Sequence, residues 1–161
     1  MKCTFSLSAV IILALTSLFI NSCRTGALPS KSESTCHGAA NDGSIIVRAW
    51  GYGTTQRKAI ENAKINAVQD VLFKGIKAGQ AGCPTRPIVE DISKRDNEYF
   101  KNFFAVGGPY LQFVNLSTDD VPDRTKVGGR IKAGMYVVVD HRRLKKQMES
   151  DNQARSLNTG F

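Results

Sequence analysis

The stretch Ile45-Ile46-Val47-Arg48-Ala49-Trp50-Gly51-Tyr52-Gly53, continued past Thr54 and Thr55 by Ala59, Ile60, Ala63, Ala67, Val68, Val71 and Leu72, decides the fold. Three β-branched residues open a strand that runs through Trp50 into the glycine-flanked Tyr52. Thr54 or Thr55 then offers a hydroxyl to cap a helix reaching to about Lys74, and Gly75 ends it. Within that helix Ile60, Ala63, Ala67 and Val71 recur at spacings of three and four, while Ala59, Val68 and Leu72 widen the stripe. Because alanine keeps side-chain bulk low, this face predicts a helix lying close on the sheet that contains the first strand.

Downstream, Lys77 to Pro87 reads as an irregular loop around Cys83-Pro84. A second helix is expected from about Glu90 to Ala105, with Tyr99, Phe100, Phe103 and Phe104 gathered toward its end and Gly107-Gly108-Pro109 breaking it. Tyr110 to Leu116 reads as a strand, Ser117 to Lys126 as a polar turn, and Val127 to Asp140 as a long strand with Ile131, Ala133, Met135, Val137 and Val139 on one face. These two strands are expected to pair as a hairpin. A basic helix from His141 to about Glu149 follows. The expected fold is α+β, a small antiparallel sheet of about three strands with the long helix on one face, in the order β-α-α-β-β-α.

Upstream, Lys2, the apolar run from Ala9 to Leu15 and the ending Phe19-Ile20-Asn21-Ser22-Cys23 form a bacterial lipoprotein signal. The division expected is residues 1–22 as signal peptide, 23–43 as a lipidated tether, 44–149 as one domain and 150–161 as a mobile tail. Cys23 is the expected lipid attachment point, where palmitate-class chains contribute about 0.8 kcal/mol per buried methylene, so two chains anchor stably. The expected location is the cell envelope, at a membrane that is most simply the outer one, facing the periplasm or the cell surface.

Taking 22 residues from 161 leaves 139, and loss of Lys2 lowers the formal charge from +8 to +7. In the cytoplasm such a balance would suggest nucleic acid; behind a signal peptide it leaves anionic headgroups, acidic cell-wall polymers or an acidic protein as partners. Cys3 departs with the signal and Cys23 carries lipid, leaving Cys36 and Cys83 to form one disulfide in an oxidising compartment. On the chain-entropy account that bridge stabilises by about 3 to 4 kcal/mol.

Catalytic and metal patterns are weak. Gly51-Tyr52-Gly53 opens like a phosphate-cradling loop, but Gln56 stands where a third glycine belongs, so a tight turn using glycine dihedrals is expected instead. His37, His141 and two thiols lack zinc-ligand spacing, and Asp119, Asp120 and Asp123 lack the glycine and glutamate of a calcium loop. Neither cofactor nor metal is expected. Trp50 and Tyr52 on one strand face, and Arg142, Arg143, Lys145 and Lys146 around the Leu144–Met148 seam, are candidate recognition surfaces for an envelope partner or anionic headgroups.

Val47-Arg48-Ala49-Trp50-Gly51-Tyr52-Gly53 followed by Ala59, Ala63, Ala67 and Asp70 resembles the Lpp-twenty lipoprotein family, whose domain is similar to the N-terminal part of the flagellar assembly protein T. The resemblance implies a small α/β envelope domain with a helix on an antiparallel sheet, a lipid anchor at Cys23 and no catalytic residue to carry over. The functional expectation is a non-enzymatic envelope lipoprotein that binds or scaffolds another envelope component. The alternatives are a cell-wall or glycan hydrolase with unplaced carboxylates, or a periplasmic ligand-binding module.

Overall fold

Ile45–Gly53 and Arg130–Val139 are the two long strands, here β2 and β6, and they pair antiparallel from Ile45↔Val139 to Gly53↔Ile131. Their odd-numbered residues face inward: Ile45, Val47, Ala49, Ala133, Met135, Val137 and Val139 are all buried. Against that face lies α1, Gln56–Phe73, presenting Ala59, Ala63, Ala67, Val68, Val71 and Leu72 as read from the sequence. Thr55 supplies the N-cap, its hydroxyl accepting from Lys58 N.

The computed structural model of the chain describes residues 34–117 and 122–155. Their remaining strands are β1 Thr35–Ala39, β3 Ala78–Gly79, β4 Val114–Leu116 and β5 Asp123–Val127, and their remaining α-helices are α2 Glu98–Phe103 and α3 His141–Ser150. The sheet runs β3-β1-β2-β6-β4, with β5 beside β4 on the same edge of β6. The α+β class stands, but the sheet has six strands and is mixed, because β3 runs parallel to β1.

The expected tether is the first correction: Thr35–Ala39 is an ordered strand on β2, with Cys36 buried, so the folded part extends upstream of Ser44. A strand of Thr, Cys, His, Gly and Ala carries no hydrophobic alternation, and only pairing with β2 reveals it. β5 was hidden in the expected polar turn for a similar reason, since Asp-Arg-Thr-Lys-Val is exposed along its whole length. It forms the hairpin with β6 through Gly128-Gly129, both at positive φ.

The expected second helix is split. Asp91 caps a 3-10 turn over Ile92–Asp96, and Asn97, in extended backbone, caps the short α2 by accepting from Phe100 N. Two short polar side chains that bond their own backbone start two separate turns. Pro109 likewise starts a 3-10 turn, Pro109–Phe113, so the expected strand from Tyr110 shrinks to Val114–Leu116. Of the expected tail, residues 151–155 belong with the domain: Lys94 Nζ donates to the carbonyls of Asn152 and Gln153, and Ala154 packs on the core. Cys23, Asp119, Asp120 and residues 156–161 lie outside the described residues.

Gly51 and Gly53 are not turn residues. Both sit within β2, where a Cβ on Gly51 would stand 2.1 Å from Ala59 O and 2.3 Å from Ala63 N. Glycine is there to let the helix backbone touch the strand. Beyond Arg48 the outer edge of β2 loses its partner β1, and α1 replaces it: Asn66 Nδ2 donates to Trp50 O and Asn62 Nδ2 to Tyr52 O, both at 2.7 Å. An Asn66→Ala variant strands the Trp50 carbonyl and is expected to lose about 1 to 2 kcal/mol in urea unfolding. An unchanged midpoint would show that water serves that carbonyl equally well.

Candidate functional site

The even-numbered residues of β2 and β6 point away from α1, and none of the described helices packs on them. Trp50 is paired with Gly134, and its ring lies on that glycine so closely that a Cβ there would meet the ring at 2.3 Å. On either side of the indole stand cations: Lys132 Nζ lies 4.3 Å and the Arg48 guanidinium 5.3 Å from its centroid. Lys132 also reaches Tyr52 at 5.8 Å, Arg48 reaches Tyr136 at 5.3 Å, and His37 meets Tyr136 edge-on at 4.7 Å. The result is a row across the outer face in which rings and cations alternate from Tyr136 to Tyr52, with the His37 ring against its Tyr136 end.

Each ring–cation contact contributes about 0.5 to 1 kcal/mol at an exposed site and keeps the long side chains extended over the sheet. Arg48 is further fixed by an ion pair with Asp123 on β5 and by a hydrogen bond to the Tyr136 hydroxyl at 3.3 Å. Sequence periodicity placed Trp50 and Tyr52 together on this face. It missed Arg48, His37, Lys132 and Tyr136, although the alternation on β6 that buries Met135 and Val137 also turns Tyr136 and Lys132 outward.

The basic C-terminal helix is a weaker candidate. Leu144 and Met148 are fully buried in the core, so its apolar seam is unavailable for a membrane surface. Arg142 reaches back to Asn41 O, Arg143 pairs with Asp140 at 3.5 Å and lies 5.5 Å from the Phe113 ring, and Lys145 approaches Glu149 at 3.9 Å. Lys146 is exposed. Burial, followed by the Lys145 charge, holds the His141 imidazole below its ordinary range. The four cations lie on the side of the helix opposite the buried Leu144–Met148 seam, and Arg143 and Lys145 are already drawn to acidic neighbours on their own element.

Cys36 and Cys83 are joined by a disulfide with Cα atoms 6.2 Å apart, which fastens β1 to the loop after α1. Among the described residues no group of three or more His, Cys, Asp and Glu side chains is arranged to hold a metal ion. Nor is any described helix long and apolar enough to cross a membrane.

No protein-family model, curated protein or solved structure matches this chain. Its chemistry is therefore read from its own surfaces. Among the described residues, a cleft of about 350 Å³ lies where α2, the 3-10 turn at Pro109 and the end of α3 meet. There the Tyr99 hydroxyl donates to Asp151 Oδ2, and Gln147 Nε2 donates to both carboxylate oxygens at 3.0 Å. Burial, reinforced by the Asp151 carboxylate, raises the Tyr99 hydroxyl far above the usual phenol range. Tyr99 is thus held as a neutral donor.

Proposed function

We propose that this protein is a non-enzymatic bacterial envelope lipoprotein, held at a membrane through lipidated Cys23, whose domain binds an acidic envelope component on the outer face of its sheet. The observation that carries the binding reading is the row Tyr136, Arg48, Trp50, Lys132 and Tyr52, in which flat rings alternate with cations on a face that no described helix covers. Rings give contact area at little entropic cost, and the cations select anionic groups.

Several features support the envelope setting. They are the Lys2 start, the apolar run before Ser22-Cys23, and a cysteine pair closed as a disulfide, which suits an oxidising compartment. The reading also draws on the resemblance of Val47–Gly53 and the alanine-spaced helix after it to Lpp-twenty lipoproteins.

Trp50 is the only tryptophan in the chain, so its emission reports directly on this face. Titration with phosphatidylglycerol vesicles, polyglutamate and purified cell-wall fragments is expected to change that emission for at least one of them, with the change suppressed by salt and by Lys132→Glu. A flat response to all three overturns the binding face. The anchor is tested separately by Cys23→Ser in cells, which should move the protein out of the membrane fraction. Acylated protein remaining there would refute lipidation at Cys23.

A further inference from the structure

The outer face of the sheet is broader than the row that crosses it. Cross-strand partners share a face, so β5 adds Asp123, Thr125 and Val127, which stand opposite Gly134, Lys132 and Arg130. Alternation along β2 turns Ile46 outward as well, opposite Val138. Ile46 and Val127 are exposed apolar residues at the two ends of this face, with the rings between them. Among the described strand residues turned this way, Arg48, Lys132 and Arg130 stand against one carboxylate, Asp123.

Tryptophan and tyrosine interleaved with lysine and arginine are the side chains that sit at the level of lipid headgroups. Their rings favour the boundary between water and hydrocarbon, and the cations meet phosphates. The path of the chain fits the same partner. Thr35 opens β1 opposite Arg48, so the chain enters the sheet beside the row. From Cys23 to Thr35 the backbone spans at most about 40 Å even when fully extended. A lipid on Cys23 therefore keeps this face within that distance of a membrane, where a weak surface contact gains from the high effective concentration. The excess of Lys and Arg over Asp and Glu in the chain has the sign that an anionic leaflet attracts. An acidic protein segment would satisfy the cations equally, but it gives no reason for apolar residues at both ends of the face or for its closeness to the anchor.

Asp123 already holds Arg48 through an ion pair at the exposed edge of the sheet, and so competes with headgroup phosphates for that guanidinium. Exposed pairs of this kind are weak enough for a leaflet to displace. We propose that the outer sheet face docks on the anionic leaflet to which Cys23 anchors the protein. Arg48, Lys132 and Arg130 meet lipid phosphates, the Trp50 and Tyr52 rings lie at headgroup level, and Asp123 is the internal rival for Arg48. This inference rests on the binding face and the anchor proposed above, and it commits that face to lipid rather than to a soluble polyanion or a cell-wall polymer.

The test reconstitutes the full-length protein, purified from membranes, into vesicles carrying a phosphatidylcholine spin-labelled on its headgroup. That label quenches Trp50, the only tryptophan, when the face lies on the surface. The expected result is much stronger quenching in vesicles rich in phosphatidylglycerol than in pure phosphatidylcholine, reversed by salt. Each basic residue near an anionic surface changes the docked-to-undocked ratio about fivefold, so Lys132→Glu should lower that ratio by at least about that factor. Asp123→Asn, at an exposed position, should raise it by about threefold. Equal quenching in anionic and neutral vesicles overturns the proposal, as does an Asp123→Asn variant that docks no better. Trp50 emission that answers to polyglutamate or cell-wall fragments but not to anionic vesicles overturns it while leaving the binding face intact. Silence toward all of them removes both.

Discussion

Gly51→Ala is expected to lower the unfolding free energy by about 3 kcal/mol or more, although it adds a single methyl group. The new Cβ would stand 2.1 Å from the carbonyl oxygen of Ala59 and 2.3 Å from the amide nitrogen of Ala63, both backbone atoms of α1. A side chain could swing away from such a clash; a helix backbone cannot. To reach ordinary van der Waals separation α1 must lift by about 1 Å along its contact with β2 and β6, and a gap of that size forfeits a quarter to a half of each dispersion contact it opens. The same lift lengthens the hydrogen bonds from Asn62 and Asn66 to β2.

Gly38→Ala is the matched control. A Cβ there meets only the end of the Gln80 side chain, at 3.8 Å, and is expected to change stability by less than about 0.5 kcal/mol. Urea unfolding of the two variants side by side decides the matter. Similar midpoints would show that the strand–helix contact at Gly51 is not tight.

Reduction of the Cys36–Cys83 disulfide is expected to cost about 4 kcal/mol, since the bridge closes a separation of 47 residues and its loss returns that loop entropy to the unfolded chain. The two-residue strand β3 is held beside β1 at the same place, with Gln80 N donating to Cys36 O at 3.0 Å. Hydrogen exchange in the reduced protein should therefore show early loss of protection at Gln80, while amides in the middle of α1 exchange only with global unfolding. Cys83→Ala gives the same comparison without reductant, and leaves the buried Cys36 in place. An unfolding midpoint indifferent to reduction would mean that the loop is fixed by its other contacts, such as the hydrogen bonds from Ile76 N to Pro84 O and from Val89 N to Leu72 O.

Much of the architecture was legible because it rests on strong periodicity. The alternation from Ile45 to Gly53 and from Ile131 to Val139, and the alanine stripe of α1, each declare one buried face. Trp50 and Tyr52 were legible as partners for the same reason. Where the chain carries no such pattern the reading failed: β1, set between β2 and the two-residue β3, is built of Thr, Cys, His, Gly and Ala without alternation, and β5 is an edge strand exposed along its whole length. Asn97 and Pro109 broke expected elements through local hydrogen bonding and ring geometry that outweigh the surrounding aromatic run.

The glycines show where local reading stops. In sequence, Gly51-Tyr52-Gly53 looks like a turn; in space it is the strip of β2 on which α1 rests, because the requirement for no side chain comes from a helix backbone and not from a dihedral angle. The cleft is likewise invisible in sequence, since Asn102, Gln112 and Asp151 belong to three separate elements. The sequence by itself determined the α+β class, the long helix with its face, and the two cysteines available to pair. Only the tertiary structure decided the six-strand mixed sheet, the ring–cation row and the cleft, because pairing at an edge and the meeting of distant side chains are properties of register and contact, which a one-dimensional pattern does not contain.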